Sequence, residues 1–317
     1  MAGVWILAEY VEQSKELLNV GRELAGQVGV ELAAWTWNPD WADECLAHGA
    51  DEVFLLPPLG LDQGLDAYIP IIAEKAKAIL PEIILVSSTL KGKELAARLA
   101  GRLDAGMASE CQGLRWDGEK NSLLAERLLY GGAGVQTISC LGRPQIATVP
   151  PRTYESAPRS EAKSGRLTEI SEPPSSQVAI LERKAREHQA QDITRARAVV
   201  CVGRGMENKP DLEKARELAG LIGGEVGCTR PIAEELHWMP EDTCIGLSGK
   251  IIKPDLYIGL GVSGQIQHLI GTRDARVVCA VNTDENAPIF AGADYGIVGD
   301  LNEILPMLLE EIRAVKR

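Results

Sequence analysis

No C-x-x-C pair occurs anywhere in the 317 residues. The seven cysteines (Cys45, Cys111, Cys140, Cys201, Cys228, Cys244 and Cys279) are scattered and odd in number. That pattern excludes a zinc or iron–sulfur framework and fits free thiols in a reducing compartment. Basic residues are the minority, 33 Lys and Arg against 45 Asp and Glu. With no basic block to offset a net charge of -12, phosphate-neutralising nucleic-acid binding is excluded. Long apolar runs are also missing, and none approaches the ~20 residues of a membrane-crossing helix. The chain opens directly on the strand-like VWILAEY with no leader pattern, so the expected location is the bacterial cytoplasm. What remains is a globular composition, 45% hydrophobic and 25% charged, long enough for two cores.

Taken in order, Val4–Ala8, Leu32–Trp37, Glu52–Leu56 and Ile83–Ser87 read as strands. Helical spacing over Ser14–Val28, Trp41–His48, Asp66–Leu80 and Lys93–Leu103 separates and follows them. The alternation predicts a parallel sheet between helices. Beyond it, Leu123–Leu129, Ile146–Val149, Arg166–Ile170 and Val178–Arg183 are expected to add strands to that sheet and end it. Ser156–Ser176 is expected to connect, and Trp116 and Tyr130 to pack. A second α/β alternation starts at Arg197, with a strand Ala198–Val202, a helix Asp211–Ile222 and a strand at Glu225–Gly227. The expected division is residues 1–190 and 191–317.

The second half centres on Asp255–Gly271, DLYIGLGVSGQIQHLIG. Leu256–Leu260 is apolar enough for a buried strand. Gly259, Gly261 and Gly264 fall as G-x-G-x-x-G, and Ile266, Leu269 and Ile270 follow at helical spacing. Such a turn aims backbone N–H groups and a positive helix end at one point, where an anion, usually a diphosphate, fits. A sharp reversal alone also uses glycines. Other polar or glycine features fall at strand ends: Gly203–Gly205 around Arg204, Thr229-Arg230, Asn282 and Asp300. In a doubly wound sheet ligands lie at those ends. Asp300, three residues before Glu303, also has helix-cap spacing. The set implies a phosphorylated nucleotide. Asp284, about 20 residues past the glycines, suits the ribose of a nicotinamide cofactor. Against that, the glycine turn comes late in the domain and its next strand ends at Asn282.

The run LYIGLGVSGQIQHLIG…VVCAVNTDENAPIFAGADYGIVGDL resembles the electron-transfer flavoprotein α-subunit family. So do VGRG, CTRPIAEE and GLSGKIIKPDL upstream, and STLKGKELAARLAGRLDAGMASEC and RPQIATVPP in the first half. The resemblance implies a flavodoxin-like or nucleotide-hydrolase-like N-terminal domain with added strands, packed on a β subunit. It implies a Rossmann-like C-terminal domain holding FAD. Arg204 and Asn282 would then hold the cofactor's phosphates or its nucleotide half. Gly261, Ser263, Gly264, Gln265, Ile266, Gln267 and His268 would wrap the diphosphate and approach the ring. Ser248 would bond flavin N5, Arg230 would lie over the ring, and His268 would face the C2 carbonyl as a donor. Thr229, Ile245, Gly246 and Leu247 complete the ring side, and Asp300-Leu301 the adenosine side. Ser248 stands where Thr is commoner, Leu247 where Gln is, and YGGAG where many members have FGGN.

The residue types suit the role. Reduction places negative charge on the ring, which a guanidinium and an imidazole donor would stabilise. A unit charge ~4 Å away at an effective dielectric of ~20 is worth about 4 kcal/mol. For one electron that is at most on the order of 170 mV. The resemblance implies transfer of electrons between an acyl-CoA dehydrogenase-type flavoenzyme and a further acceptor, or a part in electron bifurcation. The rival readings are a stand-alone nicotinamide oxidoreductase and a non-redox nucleotide sensor.

Overall fold

The structure, a computed structural model, describes residues 3–132, 134–160, 165–184 and 192–315. It comprises two compact units, Met1–Lys184 and Ala185–Arg317. The expected boundary at 190/191 lies outside the described residues.

In the first unit β1 (Gly3–Leu7), α1 (Val11–Val28), β2 (Glu31–Thr36), α2 (Pro39–Ala47), β3 (Glu52–Leu55), α3 (Ile69–Ile79), β4 (Ile83–Ser87) and α4 (Leu90–Leu103) realise the expected alternation. Local chemistry sets their ends. Asn38 caps α2 through the Asp40 N–H, Thr89 caps α4 through the Gly92 N–H, and α1 stops at left-handed Gly29. The chain continues through β5 (Met107–Ala108), β6 (Cys111–Asp117), β7 (Ser122–Leu129), β8 (Gly134–Ser139), β9 (Gln145–Val149) and β10 (Arg166–Glu169). A parallel sheet runs β10-β3-β2-β1-β4-β9-β5. β1 and β4 are buried along their whole length, with a core on either face.

The strands after residue 103 depart from expectation. β9 pairs with β4 and β10 with β3, so these two do extend the sheet, at opposite sides. The Leu123–Leu129 run does not. As β7 it is the middle of a separate antiparallel sheet, β6-β7-β8. Val178–Arg183 is no strand. Its contacts are isolated bonds such as Ile180 N–H to the Asp62 carbonyl. Trp116 packs on the core, but Tyr130 is 89% exposed and packs on nothing comparable.

The second unit holds β11 (Ala198–Val202), α5 (Leu212–Ile222), β12 (Glu225–Cys228), β13 (Leu256–Leu260), α6 (Ile266–Thr272), β14 (Val278–Asn282), β15 (Tyr295–Val298) and α7 (Leu301–Val315). The sheet is parallel, ordered β12-β11-β13-β14-β15. Within the unit that is the doubly wound order 2-1-3-4-5. One core lies under α5 and α7, and the other includes Val199, Tyr257, Val262 and Ile289. After β11 the chain leaves toward β12, and after β13 toward β14. The connections part between these two neighbours and open a crevice at their carboxyl ends.

Candidate functional site

That crevice is a cleft of about 890 Å³. It lies at the upper end of the roughly 300–1,000 Å³ typical of ligand sites. Its floor is the glycine turn after β13. Gly261 has φ 63 and Gly264 φ 80, a region that favours glycine. A methyl on Gly203 or Gly205 would run into the Gly261 backbone, and one on Gly264 into Ile289. The glycines are thus demanded by close packing of two strand ends. Gly259 lies inside β13, where a methyl would meet Ile289 at 2.9 Å, so it takes no part in the turn. The turn's N–H groups at Val262, Ser263 and Gly264 donate to no acceptor among the described residues.

One wall is the end of β12 and the wide turn Pro231–Glu235 that follows. The Thr229 hydroxyl is buried there without a hydrogen-bond partner among the described residues. Buried hydroxyls are rarely left so without a ligand or water. At the mouth Arg230 Nε lies 3.4 Å from Glu234, and Arg204 Nη1 lies 3.5 Å from Glu235. All four side chains are more than half exposed or close to it, so these pairs are weak and leave both guanidiniums free to reorient.

Beside that wall the lining continues with the loop from Cys244 to Lys250, whose Ile245 N–H donates to the Cys228 carbonyl at the end of β12. Ile245 and Lys250 bridge across it, and the Leu247 N–H donates to the Gln267 carbonyl at 2.7 Å. Gly246, at φ 140, passes so close to α6 that a methyl would lie 2.7 Å from the Gln267 oxygen. Leu247 and Ser248 stand exposed at the tip.

His268 closes the floor at 7% exposure. Its Nδ1 lies 3.1 Å from the Ile245 carbonyl and its Nε2 2.8 Å from the Tyr257 hydroxyl. Burial pulls its pKa down from 6.5 to about 4, against the opposing bond to Ile245, so the ring is neutral at pH 7. A carbonyl only accepts, so the proton sits on Nδ1 and Nε2 accepts from Tyr257. The resemblance implies a donor facing a flavin carbonyl; in the structure both nitrogens already have protein partners.

Most of the residues expected at the site do meet at this cleft: Arg204, Thr229, Arg230, Ile245, Gly246, Leu247 and Ser248 on one side. Gly261, Ser263, Gln265, Gln267, His268 and Asn282 lie on the other. Asn282 is occupied, donating from Nδ2 to the Val262 carbonyl and accepting the Asp284 N–H. Four residues fall outside the lining. Gly264 is buried behind it, and Ile266 is 69% exposed on the outer face of α6, not with Leu269 on the inner one. Asp300 accepts the Asn302 N–H at 2.8 Å as the cap of α7, and Leu301 is buried beneath the Gly205 turn. Asp284, the nicotinamide alternative's ribose ligand, closes its own turn by accepting the Asn286 N–H. Gly205, read among the strand-end glycines, does line the cleft, whereas reading the sequence missed Pro231, Glu235, Cys244 and Val262 as lining, and Tyr257 as the partner of His268. Glu235 had a faint signal, two acids just past Arg230. Tyr257 had another, one phenol in an aliphatic strand, where a buried hydroxyl needs a partner.

Among the described residues no cluster of His, Cys, Asp or Glu could hold a metal, and no helix is long and apolar enough to cross a membrane.

Residues 192–273 match the family described as the electron transfer flavoprotein FAD-binding domain, and residues 5–175 match the electron transfer flavoprotein domain. The chain is 36% identical to the electron transfer flavoprotein subunit alpha of Clostridium acetobutylicum, over 98% of this chain and 97% of that one. It is 35% identical to Protein FixB of Clostridium saccharobutylicum, with 99% and 97% covered. It is also 35% identical to the putative electron transfer flavoprotein subunit YdiR of Escherichia coli, with 98% and 97% covered.

Proposed function

The chain belongs to the electron transfer flavoprotein family as an α subunit, and from that premise we propose that FAD lies in the crevice between β11 and β13. The observation that carries this placement is the glycine turn at the cleft's floor, whose Val262 and Ser263 N–H groups donate to no acceptor among the described residues, in a cleft that Thr229 also lines. Donors without acceptors, beside exposed Arg204 and Arg230, suit an extended, doubly anionic ligand such as a dinucleotide diphosphate. FAD supplies a ring system that takes up and releases electrons singly or in pairs.

The chain's own residues do the rest. The Val262–Gly264 turn binds and orients the diphosphate. Thr229 and the Gly246–Ser248 tip hold the polar edge of the ring. Arg230, at the mouth, sets the local potential. Neutral His268 fills the floor and keeps water from it. The exposed tip at Leu247 and Ser248 leaves one edge of the cleft accessible to a redox partner.

We further propose that the first unit packs on a β subunit. The assembled pair would carry electrons from an acyl-CoA dehydrogenase-type flavoenzyme to a further acceptor, or serve in a bifurcating complex. The family membership supports a carrier. The test is co-expression with a β subunit of the same family. One FAD per α chain, and bleaching by an acyl-CoA dehydrogenase with its substrate, are expected. Bleaching by NADH with a second flavin on the β subunit would select bifurcation. A colourless complex, or one retaining a nicotinamide nucleotide, would end the reading.

A further inference from the structure

The floor of the cleft holds a short directed chain of hydrogen bonds: Tyr257 Oη to His268 Nε2 at 2.8 Å, then His268 Nδ1 to the Ile245 carbonyl at 3.1 Å. It crosses three elements. Tyr257 is on β13 and wholly buried, His268 is on α6, and Ile245 begins the loop whose tip lines the ring side of the cleft. The carbonyl can only accept, and of the two neutral tautomers only the Nδ1-protonated one can serve it. The other would set two lone pairs against each other. Cys201 Sγ, on β11, lies 3.9 Å from Nε2 and is the other polar group in reach. Among the described residues Tyr257 and Cys201 are the titratable groups contacting the ring, and no charged side chain bonds to it.

We propose that Tyr257 is a positioning residue for the cofactor cleft: by donating to Nε2 it fixes His268 as the Nδ1-protonated tautomer, and the ring in that form holds the 245–250 loop in place through the Ile245 carbonyl. The loop otherwise rests on a small number of backbone bonds, Ile245 N–H to Cys228 at the end of β12, Leu247 N–H to Gln267 and, just past the loop, Ile252 N–H to Gly271. Gly246 and Gly271 approach too closely to leave room for a side chain between them. A shift of the imidazole therefore moves the Gly246–Ser248 tip directly. It follows that Nε2 meets the cofactor as an engaged acceptor. It can donate there only if the ring gives up the Ile245 bond or takes a second proton.

The inference rests on the cleft being the FAD site, and its test separates the two. In full-length protein carrying ¹⁵N-histidine, with and without FAD, the imidazole tautomer of His268 is read from its nitrogen–hydrogen correlations. The signal is assigned by its loss in His268→Gln. Near neutral pH the expected form is Nδ1-protonated in both states. Tyr257→Phe removes one of the two bonds that favour that form, so it is expected to raise the share of Nε2-protonated ring above wild type and to shift the flavin midpoint potential. Cys201→Ala is expected to leave the tautomer and the potential in place.

A wild-type ring protonated on Nε2 overturns the proposal. So does a Tyr257→Phe protein whose tautomer and potential match the wild type while only its melting temperature falls. A tautomer that follows Cys201 instead does the same. Should Tyr257→Phe not fold, the wild-type spectrum and Cys201→Ala still decide. If the tautomer is as expected but His268 does not respond to FAD, the assignment of the cleft fails while the Tyr257 role stands.

Discussion

Gly205 and Gly261 meet backbone to backbone: the Gly205 N–H donates to the Gly261 carbonyl at 2.9 Å, and a methyl built on either would lie 2.7 Å from the other's Cα. The contact joins the ends of β11 and β13 where the sheet's connections diverge, and so sets the floor of the cleft. Gly261→Ala adds a left-handed penalty to the clash, since its φ is 63. The expected loss of stability is about 2–4 kcal/mol. On α5, a methyl at Gly220 meets nothing within 4 Å, so Gly220→Ala should gain roughly 0.5–1 kcal/mol. Chemical denaturation of both variants, with FAD retention recorded, checks the pair. Equal behaviour would show that the close approach carries no energy.

Thr229 gives a prediction with opposite signs in two states. Its buried hydroxyl has no partner among the described residues. Thr229→Val keeps the shape and removes an unsatisfied group, so the FAD-free chain should be stabilised by about 1 kcal/mol. If FAD supplies the missing partner, the same change should weaken FAD binding about tenfold. Melting of the FAD-free protein and FAD titration by fluorescence measure the two. Unchanged affinity would place the cofactor away from this wall.

How much of this was readable beforehand follows from which features are local. The runs Val4–Ala8 and Ile83–Ser87 declare buried parallel strands because both faces must be apolar, and the caps at Asn38, Thr89 and Asp300 have short-range signatures. Which sheet a strand joins is not local. β7 resembles β9 in apolar content, yet its partners are the hairpin neighbours β6 and β8. β10 crosses to the far edge, where Arg166 bonds Glu31 and Glu52. The glycine turn was legible, but its packing against Gly203 and Gly205 was not, because those residues lie more than fifty positions upstream. The partners of His268 were hidden for the same reason. Its neighbours in space, Tyr257, Ile245 and Cys201, come from three separate segments.

Arg230 and Glu234 should tune the flavin in opposite directions. Reduction adds negative charge to the ring, so removing a nearby cation makes reduction harder. Arg230→Ala should lower the midpoint potential, and Glu234→Gln, which frees the guanidinium from its 3.4 Å partner, should raise it. The limit for an unscreened neighbour is on the order of 170 mV. With Arg230 65% exposed and paired, tens of millivolts are expected. Spectroelectrochemical titration of both variants reads the shift. Movement in the same direction, or none, would remove Arg230 from the ring's surroundings.

The buried imidazole makes the second unit acid-sensitive in a definable window. His268 is held down from 6.5 to about 4, first by burial, with the Ile245 bond acting the other way. Between those two values the unfolded chain takes a proton that the native ring refuses. The unfolded state then binds more protons, so stability rises with pH. The neutral ring's contribution is complete above about pH 6.5 and is lost as pH falls to about 4. It amounts to on the order of 3 kcal/mol at most. Carboxylates add their own acid sensitivity, as Asp51 does in the first unit, where Arg22 and the Leu32 N–H hold its pKa low against burial. Comparison with His268→Gln isolates the imidazole. Denaturant midpoints near pH 7 and near pH 4.5, followed by FAD release, should differ more for wild type than for the variant. An equal difference would mean that His268 already carries a second proton in the native fold, with Nε2 donating to the Tyr257 hydroxyl instead of accepting from it.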